Sequence, residues 1–283
     1  MNTTPKTLFL DQVEDHTVSH QKFDLHYDAR LDLLHTHPQP ALDELGAYYE
    51  SEDYISHTDA KRSLFEKAYH WVKKRALNQK IQLLEKQQPN KGILLDMGCG
   101  TGDFLQVAHQ AGWQVQGIEP NEKARQIAAS KGVTFLTGTP EAKDQQFDAI
   151  TLWHVLEHLP NLEVQIKELQ RLLKPSGTLV IAVPNYKSFD AGYYKQFWAA
   201  YDVPRHLWHF SKTSIQRLVE HVGMEVVSVR PMKFDSFYVS LLSEKYKTGK
   251  MNYPKAFWVG LYSNWKGSQT KEYSSHIYVI KNS

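Results

Sequence analysis

The residues best suited to chemistry begin with a glycine-rich loop that follows a short apolar segment. Its letters are DMGCGTG, from Asp96 to Gly102. Glycine allows a backbone to turn tightly and to lie against a ligand without a Cβ clash. A helix that starts here would add free N–H groups and a partial positive charge. The acid at Asp96 is unfavourable beside a pyrophosphate, so the loop favours a ligand that carries an ammonium group.

A second carboxylate, Glu119, ends the next apolar segment, about twenty residues after the loop. A carboxylate in that place can accept both ribose hydroxyls of a nucleoside. NAD and S-adenosylmethionine both contain such a ribose, so Glu119 does not distinguish between them. The spacing of the loop is G-x-G-x-G, which differs from the G-x-G-x-x-G pattern of dinucleotide enzymes.

Four segments of the chain resemble, in order and spacing, the motifs of class I S-adenosylmethionine-dependent methyltransferases. The resemblance is to the ubiquinone-biosynthesis O-methyltransferase-like branch, type 11/12/23, and it covers residues 91–184. The segments are LDMGCGTG (95–102), GIEPN (117–121), FDAITLWHVLEHL (147–159) and LLKPSG (172–177). Each segment alone is weak, whereas the combination is highly specific.

The resemblance implies a set of residues around S-adenosyl-L-methionine, whose product is S-adenosyl-L-homocysteine. The loop would lie under the methionine and ribose, with Asp96 near the amino group and Glu119 on the ribose hydroxyls. The implied cofactor-binding residues are Asp96, Gly98, Cys99, Gly100, Gly102, Glu119, Pro120, Asn121, Thr139, Pro140, Trp153 and His154. Two alternatives stay open, since Pro120 and Asn121 could only cap a helix and Trp153 could belong to the core.

Three histidines are candidates for a general base, which methyl transfer needs only if the acceptor must lose a proton. His206 lies in the segment PRHLWHF (204–210), which resembles a stretch after the fifth strand of this branch. His158 is the second candidate and His154 the third. The alternative is that these histidines only hydrogen-bond a loop. His154 and His158 are four residues apart, but other ligands are few and we expect no metal.

The pattern from Lys91 onward alternates short apolar strands with helices, which predicts a parallel sheet with right-handed crossovers. We therefore expect an α/β, Rossmann-like sheet of seven mostly parallel strands, the class I methyltransferase fold. Insertions are expected after strands five and six, at 185–210 and 232–270. The last two strands could form an antiparallel edge.

The first part of the chain is harder to interpret. Residues 1–57 show no clear pattern, whereas helical spacing predicts one long helix over 58–88. We divide the chain into an N-terminal extension with a helical cap, 1–90, and a cofactor-binding domain, 91–283. Segments of this kind often close over the active site in this fold, which makes Tyr48, Tyr49 and Tyr54 candidate site residues.

Aromatic side chains are concentrated in the insertion at 185–210. Such clustering suggests a lid or an acceptor pocket. The alternative is a small satellite core under a long loop.

Composition limits the function further. Lys and Arg number 33 against 31 Asp and Glu, a net charge of +2 that argues against a nucleic-acid partner. The single cysteine, Cys99, excludes an internal disulfide and a cysteine-based zinc site. Apolar runs are too short for a transmembrane segment, and we expect a cytoplasmic protein.

The predicted function is methyl transfer from S-adenosylmethionine to an oxygen or nitrogen of a small-molecule acceptor, and an aromatic or lipid-like acceptor fits this prediction. Two alternatives remain: a cofactor-binding protein without catalysis, and an NAD-dependent oxidoreductase.

Overall fold

The computed structural model describes residues 7–49 and 64–283. The strands are β1 (Thr7–Glu14), β2 (Lys22–Asp28), β3 (Leu33–His37), β4 (Ile93–Met97), β5 (Gln114–Ile118), β6 (Thr134–Phe135), β7 (Phe147–Trp153), β8 (Leu173–Pro184), β9 (Trp208–His209), β10 (Met224–Pro231) and β11 (Ser275–Asn282). The helices are α1 (Leu64–Gln87), α2 (Asp103–Gln110), α3 (Glu122–Ala129), α4 (Leu162–Leu172), α5 (Phe189–Tyr194), α6 (Lys212–Glu220), α7 (Asp235–Thr248) and α8 (Tyr253–Thr270).

The larger sheet has seven strands in the order β10-β11-β8-β7-β4-β5-β6. Pairing is parallel from β8 through β7, β4 and β5 to β6. Strand β11 is antiparallel to both of its neighbours. The predicted Rossmann-like fold is confirmed, and so is the antiparallel edge formed by the last two strands.

Side chains of the central strands alternate between two cores, as the pleat of a strand requires. Leu94 belongs to the core beneath α1 and α2. Leu95 and Met97 belong to the core beneath α4 and α6. Because β4, β5 and β7 are parallel, their carboxyl ends lie at one edge of the sheet. That edge carries the glycine loop, Glu119 and Trp153.

The N-terminal residues form a second sheet, so the expectation of an irregular segment over 1–57 is wrong for its described part. Strands β1, β2, β3 and β9 form an antiparallel sheet in that order. Phe23 and Leu25 are buried at alternate positions of β2. Strand β3 also pairs with β9, which lies far along the chain, so the complete sheet is not visible in the local pattern.

The aromatic insertion at 185–210 packs against this second sheet. Tyr194, Trp198 and Tyr201 are buried in one cluster with Phe23 and Leu25. These side chains therefore form a satellite core and do not line an open acceptor pocket. The second insertion forms a hairpin of α7 and α8 between β10 and β11.

The predicted long helix is present as α1 within the described residues, whereas its expected start over 58–63 lies outside them. Its second half supplies Ile81 and Leu84 to the core beneath the large sheet. The division of the chain at residues 90 and 91 stays a prediction. Strand β3 lies on one side of that division and pairs with β9 on the other side.

Candidate active site

The glycine loop between β4 and α2 has an unusual backbone conformation. Gly98, Gly100 and Gly102 all have positive φ, at 66°, 53° and 75°. A Cβ on Gly102 would lie 2.6 Å from the Cβ of Ala128, so α3 packs directly against the loop. Among the described residues, a Cβ on Gly100 would meet no atom within 4 Å. The backbone at Gly100 is therefore open to a ligand.

Glu119 reaches back from the end of β5 to this loop. Its carboxylate accepts hydrogen bonds from the backbone N–H of Gly100, at 2.8 Å, and of Asn121, at 2.9 Å. The structure thus brings together the two motifs that the sequence places about twenty residues apart. The two hydrogen bonds, one to each carboxylate oxygen, hold the carboxylate in a fixed orientation beside the loop.

Asp96 lies at the end of β4 and is 3% exposed. It accepts a hydrogen bond from Thr151 Oγ1 at 2.5 Å. Burial raises the pKa of Asp96 to about 7. The positive charge of Lys80, from α1, acts in the opposite direction. A carboxyl group with this pKa is partly protonated near neutral pH, and the approach of a cation would favour its ionised form.

Trp153 ends β7 on the same face as Lys80. The Nζ of Lys80 is 4.1 Å from the centroid of the Trp153 ring, and Phe104 meets that ring edge to face at 5.5 Å. The indole Nε1 is buried and has no hydrogen-bond partner among the described residues. A buried donor without a partner is costly and indicates a missing acceptor. An acceptor atom of a bound cofactor fits that place.

Several predicted cofactor residues also have structural contacts, and their role at the cofactor stays a prediction. The side chain of Cys99 packs in the core, and burial raises the pKa of its thiol to about 12. Asn121 caps α3 by accepting a hydrogen bond from the N–H of Ala124 at 3.0 Å. Pro120 is exposed. Thr139 and Pro140 start a short helical turn after β6, at the far end of the sheet.

His154 lies between two carboxylates. Its Nδ1 is 3.3 Å from Oε1 of Glu157, and its Nε2 is 3.1 Å from Oδ2 of Asp235, at the start of α7. Although burial acts to lower it, the two carboxylates raise the pKa of His154 to about 10. A protonated imidazole cannot accept a proton, and this argues against the prediction of His154 as a general base.

His158 and His206 form a different kind of pair, with ring centroids 4.6 Å apart. Burial and the neighbouring His206 lower the pKa of His158 to about 4. Nδ1 of His158 is 3.1 Å from the carbonyl oxygen of Arg205, and Nδ1 of His206 is 2.9 Å from that of Ala200. A carbonyl only accepts, so both Nδ1 atoms carry a hydrogen, and the low pKa of His158 keeps a lone pair on its Nε2 near neutral pH.

The N-terminal part of the chain contributes to this histidine pair. The hydroxyl of Tyr49 is 3.0 Å from Nδ1 of His158. Tyr48 contributes its backbone carbonyl, which accepts a hydrogen bond from Nη1 of Arg205 at 3.2 Å. The third tyrosine predicted here, Tyr54, lies outside the described residues. The prediction that this segment covers the site remains open.

Ligand atoms of Glu157, His158 and His206 all lie within 4.8 Å of one another. Oε2 of Glu157 is buried and has no partner among the described residues. These groups have the chemistry to hold a metal ion, so the expectation of no metal stays a prediction.

A family model described as a methyltransferase domain matches residues 68–229, more than half of the chain. The chain belongs to this methyltransferase family. The expectation of a class I S-adenosylmethionine-dependent methyltransferase is thereby confirmed. The alternative prediction, an NAD-dependent oxidoreductase, is not supported by this match. Within the described residues, no helix is both long and apolar enough to cross a membrane.

Curated relatives share part of the methyltransferase sequence. The ubiquinone biosynthesis O-methyltransferase of Azoarcus sp. is 28% identical over 159 residues, which are 50% of this chain and 68% of that protein. The enzyme of the same name from Haemophilus ducreyi is 34% identical over 106 residues, 32% of this chain and 45% of that protein. The match thus spans about half to two thirds of the relatives' own length.

A solved structure shares the fold at low sequence identity. Geranyl diphosphate C-methyltransferase from Streptomyces coelicolor has a TM-score of 0.57 and is 13% identical. The superposition covers 85% of this chain and 97% of that one.

Two residues of the site, Lys80 and Asp235, were not predicted from the sequence. Lys80 lies on the apolar face of α1 between Leu77 and Leu84, and a charged residue in that position is a signal that could have been used. Asp235 belongs to an insertion far along the chain, and no local pattern links it to His154.

Proposed function

We propose that the methyltransferase transfers a methyl group from S-adenosylmethionine to a hydroxyl oxygen of a small molecule. The observation that carries this proposal is the pair His158 and His206, in which each Nδ1 donates to a backbone carbonyl and Nε2 of the neutral His158 keeps a lone pair. A hydroxyl must lose its proton to become a strong nucleophile, whereas a neutral amine can attack without prior proton loss. A buried neutral base therefore favours oxygen as the acceptor atom.

The cofactor is proposed to lie along the edge formed by β4, β5 and β7. Glu119 would accept the ribose hydroxyls, and the open backbone at Gly100 would admit the ribose and methionine. Asp96 would pair with the amino group, and Lys80 would pair with the carboxylate. The ring of Trp153, which now faces the ammonium of Lys80, would face the sulfonium.

The bound cofactor supplies an electrophilic methyl group, whose bond to sulfur breaks as its bond to the acceptor oxygen forms. Nε2 of His158 or His206 would take the proton that the hydroxyl loses. The pocket would lower the activation barrier further by positioning the two reactants. Alignment alone is worth several kcal/mol in such reactions (roughly 7–11 at best).

The names of the curated relatives support an O-methyl acceptor, since both are ubiquinone biosynthesis O-methyltransferases. An aromatic or lipid-like acceptor belongs to the same proposal. A cofactor-binding protein without catalysis is the remaining alternative, and turnover of any acceptor would remove it.

The cofactor site is tested by calorimetric titration with S-adenosylhomocysteine. We expect micromolar binding by the wild type (about −8 kcal/mol) and a loss of at least tenfold in Glu119→Ala. The control is Glu122→Ala, an exposed acid three residues along the same segment, which should bind normally. Equal binding by Glu119→Ala and Glu122→Ala would refute the assigned site.

The base is tested by turnover of a panel of hydroxylated acceptors, with methylated products detected by mass spectrometry. His158→Gln and His206→Gln should each lose roughly 100-fold or more in kcat, while their affinity for S-adenosylhomocysteine stays at the wild-type value. Wild-type turnover in both variants would exclude the pair as the base.

A further inference from the structure

The hairpin of α7 and α8 exposes a large aromatic surface. Six bulky apolar side chains of α8 are at least 43% exposed, and Trp258 reaches 65%. They are Tyr253, Phe257, Trp258, Leu261, Tyr262 and Trp265. Successive members are one, three or four residues apart, which places them along one broad stripe of the helix. We refer to these six residues as the aromatic stripe.

The buried side of α8 has the opposite character. It consists of small residues, Ala256, Val259, Gly260, Ser263 and Gly267. A Cβ on Gly260 would lie 3.0 Å from the Cα of Phe237, so α7 and α8 approach closely there. The fold thus uses the small residues for packing and turns the large apolar ones outward. Packing among the described residues therefore leaves most of the aromatic stripe exposed.

The exposed surface continues onto neighbouring elements. Tyr262 meets Phe189 of α5 edge to face at 4.7 Å, and Phe189 stacks on Tyr193 at 5.9 Å. Phe257 stacks on Phe237 of α7 at 5.6 Å. A contiguous apolar patch built from three helices is typical of an interaction site.

Lysines lie beside this patch, and α8 itself contains no acidic residue. Residues 245–271 contain six lysines and no aspartate or glutamate, although the whole chain has a net charge of only +2. Nζ of Lys266 is 5.3 Å from the ring of Trp265, and Nζ of Lys247 is 5.5 Å from that of Tyr193. The surface is therefore apolar at its centre and cationic around it.

We propose that the α7–α8 hairpin docks on the surface of an anionic lipid bilayer. Trp and Tyr favour the interface between headgroups and acyl chains, and lysines beside them reach the anionic headgroups. A second copy of the chain is a poorer occupant, because a symmetric contact would bring two lysine-rich surfaces together. The helices lie on the bilayer in this proposal, in agreement with their lack of membrane-spanning character.

The α7–α8 hairpin begins beside the candidate active site, so docking of the hairpin would also place that site near the bilayer. Strand β10 is parallel to β8, so α7 begins at the carboxyl edge of the large sheet, and Asp235 at its start contacts His154. A docked hairpin would hold this edge close to the lipid surface. The docking itself is independent of the acceptor and of methyl transfer.

The test is sedimentation of the full chain with vesicles of phosphatidylcholine alone or mixed with an equal part of phosphatidylglycerol. We expect binding to the mixed vesicles only, with a blue shift of tryptophan fluorescence and a loss of binding at high salt. Joint replacement by Trp258→Ser and Trp265→Ser should reduce partitioning by roughly tenfold or more. Lys250→Glu with Lys266→Glu should also weaken it.

The matched control is Ile127→Ser with Val164→Ser, two exposed apolar residues on α3 and α4. This pair should bind vesicles as the wild type does. Absence of binding and of a fluorescence shift in the folded wild type would overturn the proposal. So would wild-type binding by the double tryptophan variant, or a dimer in ultracentrifugation that this variant dissociates while vesicles are ignored.

Discussion

Asp96 is the residue whose ionisation should control cofactor affinity. Burial raises its pKa to about 7, so its carboxyl is only partly ionised near neutral pH. In the proposed site, the ammonium of the cofactor would pair with the ionised form alone. Affinity for S-adenosylhomocysteine should therefore increase from about pH 6 to about pH 8 as the proton is lost. Titration calorimetry at several pH values measures this increase.

The control for Asp96 is Asp96→Asn, which keeps the shape but cannot ionise. Its affinity should be lower above neutral pH and nearly constant across the same range. An equally steep pH dependence in Asp96→Asn would assign the effect to another group.

His154 should contribute to stability in a pH-dependent way. Its pKa is about 10 in the folded chain against an ordinary value of 6.5. The stabilisation is thus fully present below about pH 6.5 and is lost as the pH rises through about 10. We expect His154→Gln to lower Tm at pH 7, and the difference from wild type to shrink towards pH 10.

Thermal unfolding followed by circular dichroism measures the effect of His154→Gln. His221→Gln, at an exposed histidine after α6, should leave Tm nearly unchanged at both pH values. A difference for His154→Gln that is constant with pH would show that the two carboxylates do not hold its proton.

Residues of the candidate site were predictable where the chemistry is local. Asp96, the glycines and Glu119 follow strands directly, and type and spacing were enough to find them. Lys80 and Asp235 were missed because each comes from an element that reaches the site only through the tertiary fold. His154 was predicted as a base because its two partners could not be known.

At the scale of elements, two glycines of the β4–α2 loop are expected to have different roles: Gly100 lies where a ligand would bind, and Gly102 packs against α3. Gly100→Ala adds a methyl group in open space, at a cost of roughly 1–2 kcal/mol for positive φ. Gly102→Ala carries the same cost and also forces a contact with Ala128. We expect Gly100→Ala to remain folded but to bind S-adenosylhomocysteine at least tenfold more weakly, and Gly102→Ala to lose more Tm.

The control for the loop is Gly132→Ala, which has positive φ and open space but follows α3, outside the loop. It should lose Tm as Gly100→Ala does and keep normal affinity for S-adenosylhomocysteine. Normal affinity in Gly100→Ala would show that the ligand does not approach this backbone.

Elements were predictable from sequence where neighbours in the chain are neighbours in space. The strand and helix order from β4 to β8 follows this rule, and its periodicities are clear. Strands β1 to β3 follow it only in part, since the sheet is completed by β9. The alternation of Phe23, Leu25 and Tyr27 is typical of a strand and could have indicated β2. The complete sheet, however, includes β9, which is distant in the sequence.

At the scale of the molecule, one buried acid joins the two sheets. Asp32 precedes β3 and accepts hydrogen bonds from the hydroxyls of Tyr186, at 3.1 Å, and Ser211, at 2.7 Å. Lys187 pairs with the same carboxylate at 2.5 Å. These three donors come from the part of the chain after β8, and Tyr27 of β2 donates to the same carboxylate at 3.0 Å. The N-terminal sheet and the segment after β8 therefore form one unit.

Because these parts of the chain form one unit, we predict that residues 91–283 do not fold without residues 1–90. Removal of the first 90 residues would expose the aromatic cluster of Trp198 and Tyr201, and would leave the core beneath α1 without Ile81 and Leu84. Each lost large apolar contact costs roughly 2–5 kcal/mol, against a total stability of about 5–15 kcal/mol. The fragment should show no cooperative thermal transition and no binding of S-adenosylhomocysteine.

Addition of a separately produced 1–90 fragment should restore both properties. A 91–283 fragment that unfolds cooperatively and binds the ligand alone would instead establish residue 91 as a true domain boundary.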